Sequence, residues 1–236
     1  MVSEPRNQPV RPFAVLFDYD GTLVDTEPYW IQAEIDLINS LGAPWTFEDA
    51  RKLCGTTREY TIEVHFAHMA AHGVDVESLD ADDFYDRLCQ KVIEEVTQQG
   101  LPWLPGAREL LTDLKANRIP AAIVSNSPPQ VLAAGLSQFP SGTIRAVVDS
   151  DMVTQGKPDP EGYQLAASRL GVAPEDCMVI EDTRSGLQAG LAAGAVVAMV
   201  PGQFPVPDAP GQVKLEGLEG VNLARLRELY AQVRAA

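Results

Sequence analysis

Residues 13–17, Phe-Ala-Val-Leu-Phe, form a short, unbroken apolar run that stops at Asp18-Tyr19-Asp20-Gly21-Thr22, and no run like it returns until residue 120. A run this short, without polar alternation, suits a strand buried on both faces. Such a strand needs parallel neighbours and helices on two sides. The chain must therefore supply further strands later and bring them back beside the first.

The residues in between read as helix only. Ile31, Ile35 and Ile38 share one face of a helix that stops at Gly42 and Pro44. Thr46 with Asp49 has the form of a capping box for a short helix ending near Gly55. Thr57 is placed to cap a helix running to Gly73. Asp80 is placed to cap another, carrying Phe84, Leu88, Val92 and Val96 and ending at Gly100. Four helices with short links predict a small bundle. Beyond Gly100 strands and helices alternate: helix 107–117, strand 120–125, helix 128–137, strand 145–150, helix 160–170, strand 177–182, helix 185–193, strand 195–200. The pattern predicts an α/β fold, a doubly wound parallel sheet with a Rossmann-like core and an inserted α-helical bundle as cap. The expected division is 1–24 and 100–236 for the core and 25–99 for the cap. Residues 201–219, rich in Pro and Gly, are expected to be loop, and a last helix, 221–235, to pack on the sheet's edge.

With 236 residues and 45% hydrophobic, the chain can bury a sizeable core plus a smaller insert. Its formal charge of −15 argues against nucleic-acid binding, which needs basic stripes. It does not exclude a small anionic substrate met by a metal and local cations. Cys54, Cys89 and Cys177 form no Cys-x-x-Cys pair, so neither a disulfide framework nor a zinc site is expected, and a reduced cytosol fits. The first residues hold no apolar leader, and the run 189–200 is too short and glycine-bearing to span a bilayer, so no membrane association is expected.

In open α/β sheets ligands bind at the carboxyl ends of the strands. That rule selects Asp18-Tyr19-Asp20-Gly21-Thr22, Ser125-Asn126-Ser127, the loop around Lys157, and Glu181-Asp182. Two carboxylates as close as Asp18 and Asp20 raise each other's proton affinity, and a divalent cation relieves that. Magnesium, which prefers oxygen ligands and keeps several waters, suits Asp18, a backbone carbonyl and Asp182, with Glu181 able to hold a metal-bound water. Ser125 and Asn126 stand where a hydroxyl and backbone N–H groups grip phosphate, although a Ser there is also a common helix cap. Lys157 suits neutralising a phosphate, although a loop lysine by itself is usually solvated.

The order Asp-x-Asp-Gly-Thr, Ser-Asn, Gly-Lys-Pro, Glu-Asp resembles the haloacid dehalogenase superfamily, in its phosphatase branch with a helical cap between the first two motifs. FDYDGTLVDTEP looks like the first motif, IVSNS the second, GKPDPEGY the third and VIEDTRSGLQAGLAAG the fourth, over nearly the whole chain. The resemblance implies that Asp18 is the nucleophile and forms an aspartyl-phosphate, while Asp20 protonates the leaving oxygen and then takes a proton from water. It implies that Ser125 and Lys157 hold the phosphoryl oxygens. It also implies that Asp18, the Asp20 carbonyl and Asp182 bind Mg2+ with Glu181 assisting through water, and that Gly21 and Thr22 shape the loop. Dehalogenases and phosphonate-cleaving members lack an Asp at the second position, so Asp20 argues against both.

The segment 54–61 resembles the substrate-reading turn of sugar-phosphate members, with Arg58 as the candidate contact, although a surface Arg near a helix start is as ordinary. Asp25 and Glu27 can be hinge, substrate contact or helix-start acids. His65, His68 and His72 share a helical face, but this chemistry needs no such ligands. Trp30, Trp45 and Trp103 read as packing. The expected function is a magnesium-dependent phosphatase for a small phosphorylated metabolite, a sugar or polyol phosphate, as a cytoplasmic monomer or weak dimer. A phosphomutase of the β-phosphoglucomutase type shares every core residue and stays open. A non-catalytic binding protein on the same fold is the third reading.

Overall fold

The first apolar run is the middle of the sheet. The computed structural model describes residues 13–53 and 55–235; the leader expectation for the first residues, and Cys54, lie outside them. Among the described residues six parallel strands form one sheet: β1 (Ala14–Phe17), β2 (Ala121–Val124), β3 (Ala146–Val148), β4 (Cys177–Glu181), β5 (Val196–Met199) and β6 (Gln212–Lys214). Their order is β3-β2-β1-β4-β5-β6. The chain winds outward from β1 through β2 to β3, then crosses to the other side of β1. That reversal opens a crevice at the carboxyl end of β1.

Side chains of β1 alternate between two cores, as period-two geometry requires. Val15 and Phe17 join the cluster beneath α5 (Ala107–Ala116) and α9 (Leu223–Ala235). Ala14 and Leu16 join the cluster beneath α7 (Glu161–Leu170) and α8 (Arg184–Ala192). With both faces covered, β1 needs no polar residue until Asp18.

Between β1 and β2 lie α1 (Glu27–Ser40), α2 (Phe47–Arg51), α3 (Arg58–Ala71) and α4 (Ala81–Gln99). The expected caps form. Thr46 and Asp49 make a reciprocal capping box, and Thr57 and Asp80 accept from first-turn amides. These helices share a core of their own, including Leu37, Ile38, Met69, Leu88 and Val92. Truncating one such leucine costs about 2–5 kcal/mol, so the bundle has its own means of support. It is seated on the sheet through α6 (Pro129–Leu136), whose Val131 enters the bundle core. Gln138 clamps this junction, donating to Val96 O at 2.9 Å and accepting from Leu101 N at 2.9 Å.

One expectation needs correction. Residues 201–219 are not all loop, because Gln212–Lys214 forms β6, parallel to β5. An edge strand of this length needs only main-chain pairing and leaves no apolar run to read. The last helix lies over β5 and the edge strand β6, as expected. It covers a face beside α5, with Leu223, Leu226 and Leu229 buried in the same cluster. An apolar stripe at that spacing is buried against such a face.

Among the described residues no helix is long and apolar enough to cross a membrane.

Candidate active site

Strand register assembles the site. Phe17 pairs with Ile180 on one side and Ile123 on the other. The residues that follow, Asp18, Glu181-Asp182 and Val124-Ser125, therefore leave the sheet together. Asp18 stays in line, donating its N–H to Ile180 O at 3.0 Å. Gly21 turns the chain back with φ +82°, and a Cβ there would strike the Asp182 carboxylate, so the turn demands glycine. Thr22 is fully buried and donates to Asp182 Oδ1 at 3.4 Å.

Lys157 is the electrostatic centre. It is 8% exposed, and its Nζ donates to Asp18 Oδ1 and, at 2.6 Å, to Glu181 Oε1. Burial disfavours its charge, but the two carboxylates outweigh that and hold its pKa above the usual lysine value. Asn126 Oδ1 accepts from Lys157 N at 3.2 Å and so pins the lysine loop. Glu181 is completely buried. Its Oε1 also accepts from Tyr163 OH at 2.8 Å. Its Oε2 accepts from Asp182 N (3.1 Å), Thr183 N (3.1 Å) and Thr183 Oγ1 (2.9 Å). Burial pushes the Glu181 carboxyl up, yet Lys157 and these donors bring it below its ordinary value. Gly186 leaves room for it, since a Cβ there would collide with the Glu181 carboxylate.

The other acids titrate the opposite way. Burial drives the Asp18 carboxyl well up, against the pull of Lys157. Asp182 is pushed up to about 7 by burial and then by Glu181. Asp20 is raised by burial, partly offset by the hydroxyls of Ser127 and Thr26, which both donate to it. Ser125 Oγ accepts from Ser127 N at 3.0 Å, which steadies that loop.

Asp18, Glu181 and Asp182 each offer an oxygen within 4.8 Å of the others. Three carboxylates surround one lysine, and two of them, Asp18 and Asp182, are pushed up by burial first and by their acidic neighbours after it. An all-oxygen, anionic donor set of this kind fits a hard divalent cation.

Above the strand ends a cavity of about 920 Å³ opens between the sheet and the helical bundle. Asp18, Asp20, Ser125, Asn126, Lys157 and Asp182 line its floor. A family model for haloacid dehalogenase-like hydrolases matches residues 14–194. The chain belongs to that family. It is 33% identical over 185 residues to a phosphorylated carbohydrates phosphatase of Thermotoga maritima, covering 77% of this chain and 81% of that protein. It is 32% identical over 187 residues to the β-phosphoglucomutase of Bacillus subtilis, covering 77% of this chain and 80% of that protein. The crystal structure of CbbY from Rhodobacter sphaeroides in complex with phosphate superposes with a TM-score of 0.77 at 27% identity, covering 91% of this chain and 98% of that one.

Within this haloacid dehalogenase-like hydrolase, the expected core residues all reach one place: Asp18, Asp20, Gly21, Thr22, Ser125, Asn126, Lys157, Glu181 and Asp182. Arg58 does not join them. It pairs with Asp82 at 2.5 Å and lies over the Tyr85 ring at 5.0 Å, and it does not itself line the cavity. The histidines are spent inside the bundle. His68 meets Pro44 O at 2.6 Å, His72 meets His68 O at 2.9 Å, and His65 is buried beside Trp45 and Glu34.

Several residues at the site escaped the sequence reading: Thr26 and Ser127 on Asp20, Tyr163 on Glu181, and Glu34 and Arg184 in the cavity wall. Ser127 and Tyr163 lie inside the motifs already quoted, so proximity to Ser125 and Lys157 was an available signal. Glu34, on a helix of the bundle, had none.

Proposed function

We propose that this chain is a magnesium-dependent phosphatase that hydrolyses a small phosphorylated sugar or polyol through an aspartyl-phosphate on Asp18. The enzyme class is phosphoric monoester hydrolase. One observation carries the reading. Asp18, at the end of the central strand, is tied directly to Lys157, while Asp20, two residues on, is held apart by Thr26 and Ser127, with burial raising its pKa above the ordinary carboxylate value.

The steps follow from that separation of roles. Asp18 attacks phosphorus, and the ester oxygen leaves with the proton of Asp20. Water then attacks the aspartyl-phosphate while Asp20 takes its proton, releasing phosphate and restoring Asp18. Lys157, Ser125 and Asn126, with the loop at Gly21 and Thr22, hold the phosphoryl oxygens. Asp18 and Asp182, with the Asp20 carbonyl, would hold magnesium, which supplies charge neutralisation at the phosphoryl group. Glu181, whose oxygens already accept from Lys157, Tyr163 and Thr183, serves to hold the lysine and would assist the metal through water. Residues 25–99 act as the cap domain over a core of 1–24 and 100–236, excluding bulk water when closed. The working form is a cytoplasmic monomer or weak dimer.

The similarity to a β-phosphoglucomutase favours a second reading, in which the phosphoryl group returns to a sugar. Both readings are tested by measuring phosphate release from phosphorylated sugars, polyols and nucleotides, with magnesium and then with chelator, beside Asp18→Asn. Release that needs both magnesium and Asp18 supports the phosphatase. Isomerised sugar phosphate without release supports the mutase.

A further inference from the structure

The bundle's side of the cavity contains a buried acid that the phosphoryl chemistry does not use. Glu34, on α1, is 6% exposed and lines the cavity. Its Oε2 accepts from the Trp45 indole Nε1 at 3.0 Å. His65 Nε2 lies 3.2 Å from the same oxygen. His65 is itself fully buried, edge-on to Trp45 with centroids 5.0 Å apart and to Phe84 at 5.7 Å, and neither of its ring nitrogens completes a hydrogen bond. Oε1 of Glu34 accepts no hydrogen bond from the described residues. A carboxylate taken this far out of water needs its remaining acceptor sites filled, and the cavity is where a donor can come from.

The rest of that wall narrows the donor. Asp25 and Glu27 line it with Glu34, and no Lys or Arg of the bundle does so. Arg58 is turned to Asp82 and Tyr85, and the cations that do line the cavity, Lys157 and Arg184, stand on the sheet side. A second phosphate on the leaving group would meet like charge there. Trp30 and Tyr85, with centroids 6.5 Å apart, add aromatic surface to the same wall. Hydroxyl donors on a carbon frame match both features.

We propose that Glu34 is a specificity-determining residue of this enzyme. Its open carboxylate oxygen accepts a hydroxyl hydrogen from an uncharged, hydroxyl-rich leaving group, and Trp45 is a positioning residue that holds the carboxylate from behind, with His65 packed beside it. The proposal rests on the phosphatase reading of the site below. A hydrogen bond to a charged acceptor strongly favours the substrate that carries the donor over one that lacks it.

The test compares wild type, Glu34→Gln and Trp45→Phe, each checked for folding by thermal melting. Their kcat/KM values are measured on sorbitol 6-phosphate, mannitol 1-phosphate, glucose 6-phosphate, fructose 1,6-bisphosphate and p-nitrophenyl phosphate. Wild type is expected to prefer the best monophosphate over the bisphosphate. Glu34→Gln lowers the ratio of that monophosphate to p-nitrophenyl phosphate about tenfold, the loss of one charge-assisted hydrogen bond, and does so chiefly through KM. Trp45→Phe, which removes the indole donor together with part of the ring, moves the ratio the same way by less. An unchanged ratio in Glu34→Gln, or a wild-type preference for the bisphosphate, overturns the proposal. Calorimetric binding of the same monophosphates to Asp18→Asn, with and without Glu34→Gln, reads the contact without turnover, and equal affinities also overturn it. If wild type releases phosphate from no ester, the phosphatase reading falls instead, and the calorimetric comparison still decides for or against Glu34.

Discussion

The two walls of the cavity follow opposite electrostatic plans. On the sheet side the charges interlock: Lys157 bridges Asp18 and Glu181, Glu181 is filled on both oxygens, and Asp20 is held by two hydroxyls. On the bundle side Asp25, Glu27 and Glu34 line the wall with no Lys or Arg of the bundle among the described lining residues, and Glu34 is held from behind. An interlocked set positions groups for one reaction and tolerates little change. A wall with open acceptors leaves its contacts to whatever enters. The difference separates the part of the molecule that performs chemistry from the part that chooses its substrate.

The largest expected effect falls on the sheet side. Asp18→Asn lowers kcat on the best ester by at least about a thousandfold, the scale expected when a covalent nucleophile is removed. The fold survives, with a melting temperature no lower than wild type, because burial already penalises that carboxylate. Turnover near the wild-type rate would sink the mechanism. Next, Glu181→Gln removes the carboxylate whose charge the fold favours, held below its ordinary pKa by Lys157 and its other donors, and is expected to cost about 3 kcal/mol in chemical denaturation, the scale of a broken buried ion pair. A cost below about 1 kcal/mol would break the picture of an interlocked wall.

A moderate effect appears with pH. Asp182 titrates at about 7 when folded, against about 3.9 in an unfolded chain. Between those values the folded chain holds a proton that the unfolded chain has released. Stability from this group is therefore intact below about pH 4 and lost as pH rises through about 7. Asp18, raised as well, acts in the same direction. In chelator the wild type melts at a lower temperature at pH 8 than at pH 5.5, and Asp182→Asn narrows that gap. An identical gap in both proteins would show that the sheet-side charges are not strained in this way. The smallest effect belongs to the bundle's surface. Arg58→Ala costs under about 1 kcal/mol, as exposed pairs do, and shifts the ranking of esters less than Glu34→Gln does. A larger shift from Arg58 would mean that the bundle brings a cation to the cavity after all.

The chain by itself determined the sheet, the bundle and the floor of the site. Short apolar runs must be buried, their polar stops must fall at strand ends, and parallel register then gathers Asp18, Ser125 and Asp182, while Lys157 arrives on a loop pinned by Asn126. Capping residues such as Thr46, Thr57 and Asp80 are equally local and equally legible. Only the tertiary structure decided that Gln212–Lys214 pairs as a sixth strand, that Arg58 turns to Asp82, and that Glu34, Trp45 and His65 meet behind the cavity. Those outcomes depend on how one helix lies against another. Helical spacing says which face a residue occupies, but the angle and offset between packed helices choose the neighbour it finds there.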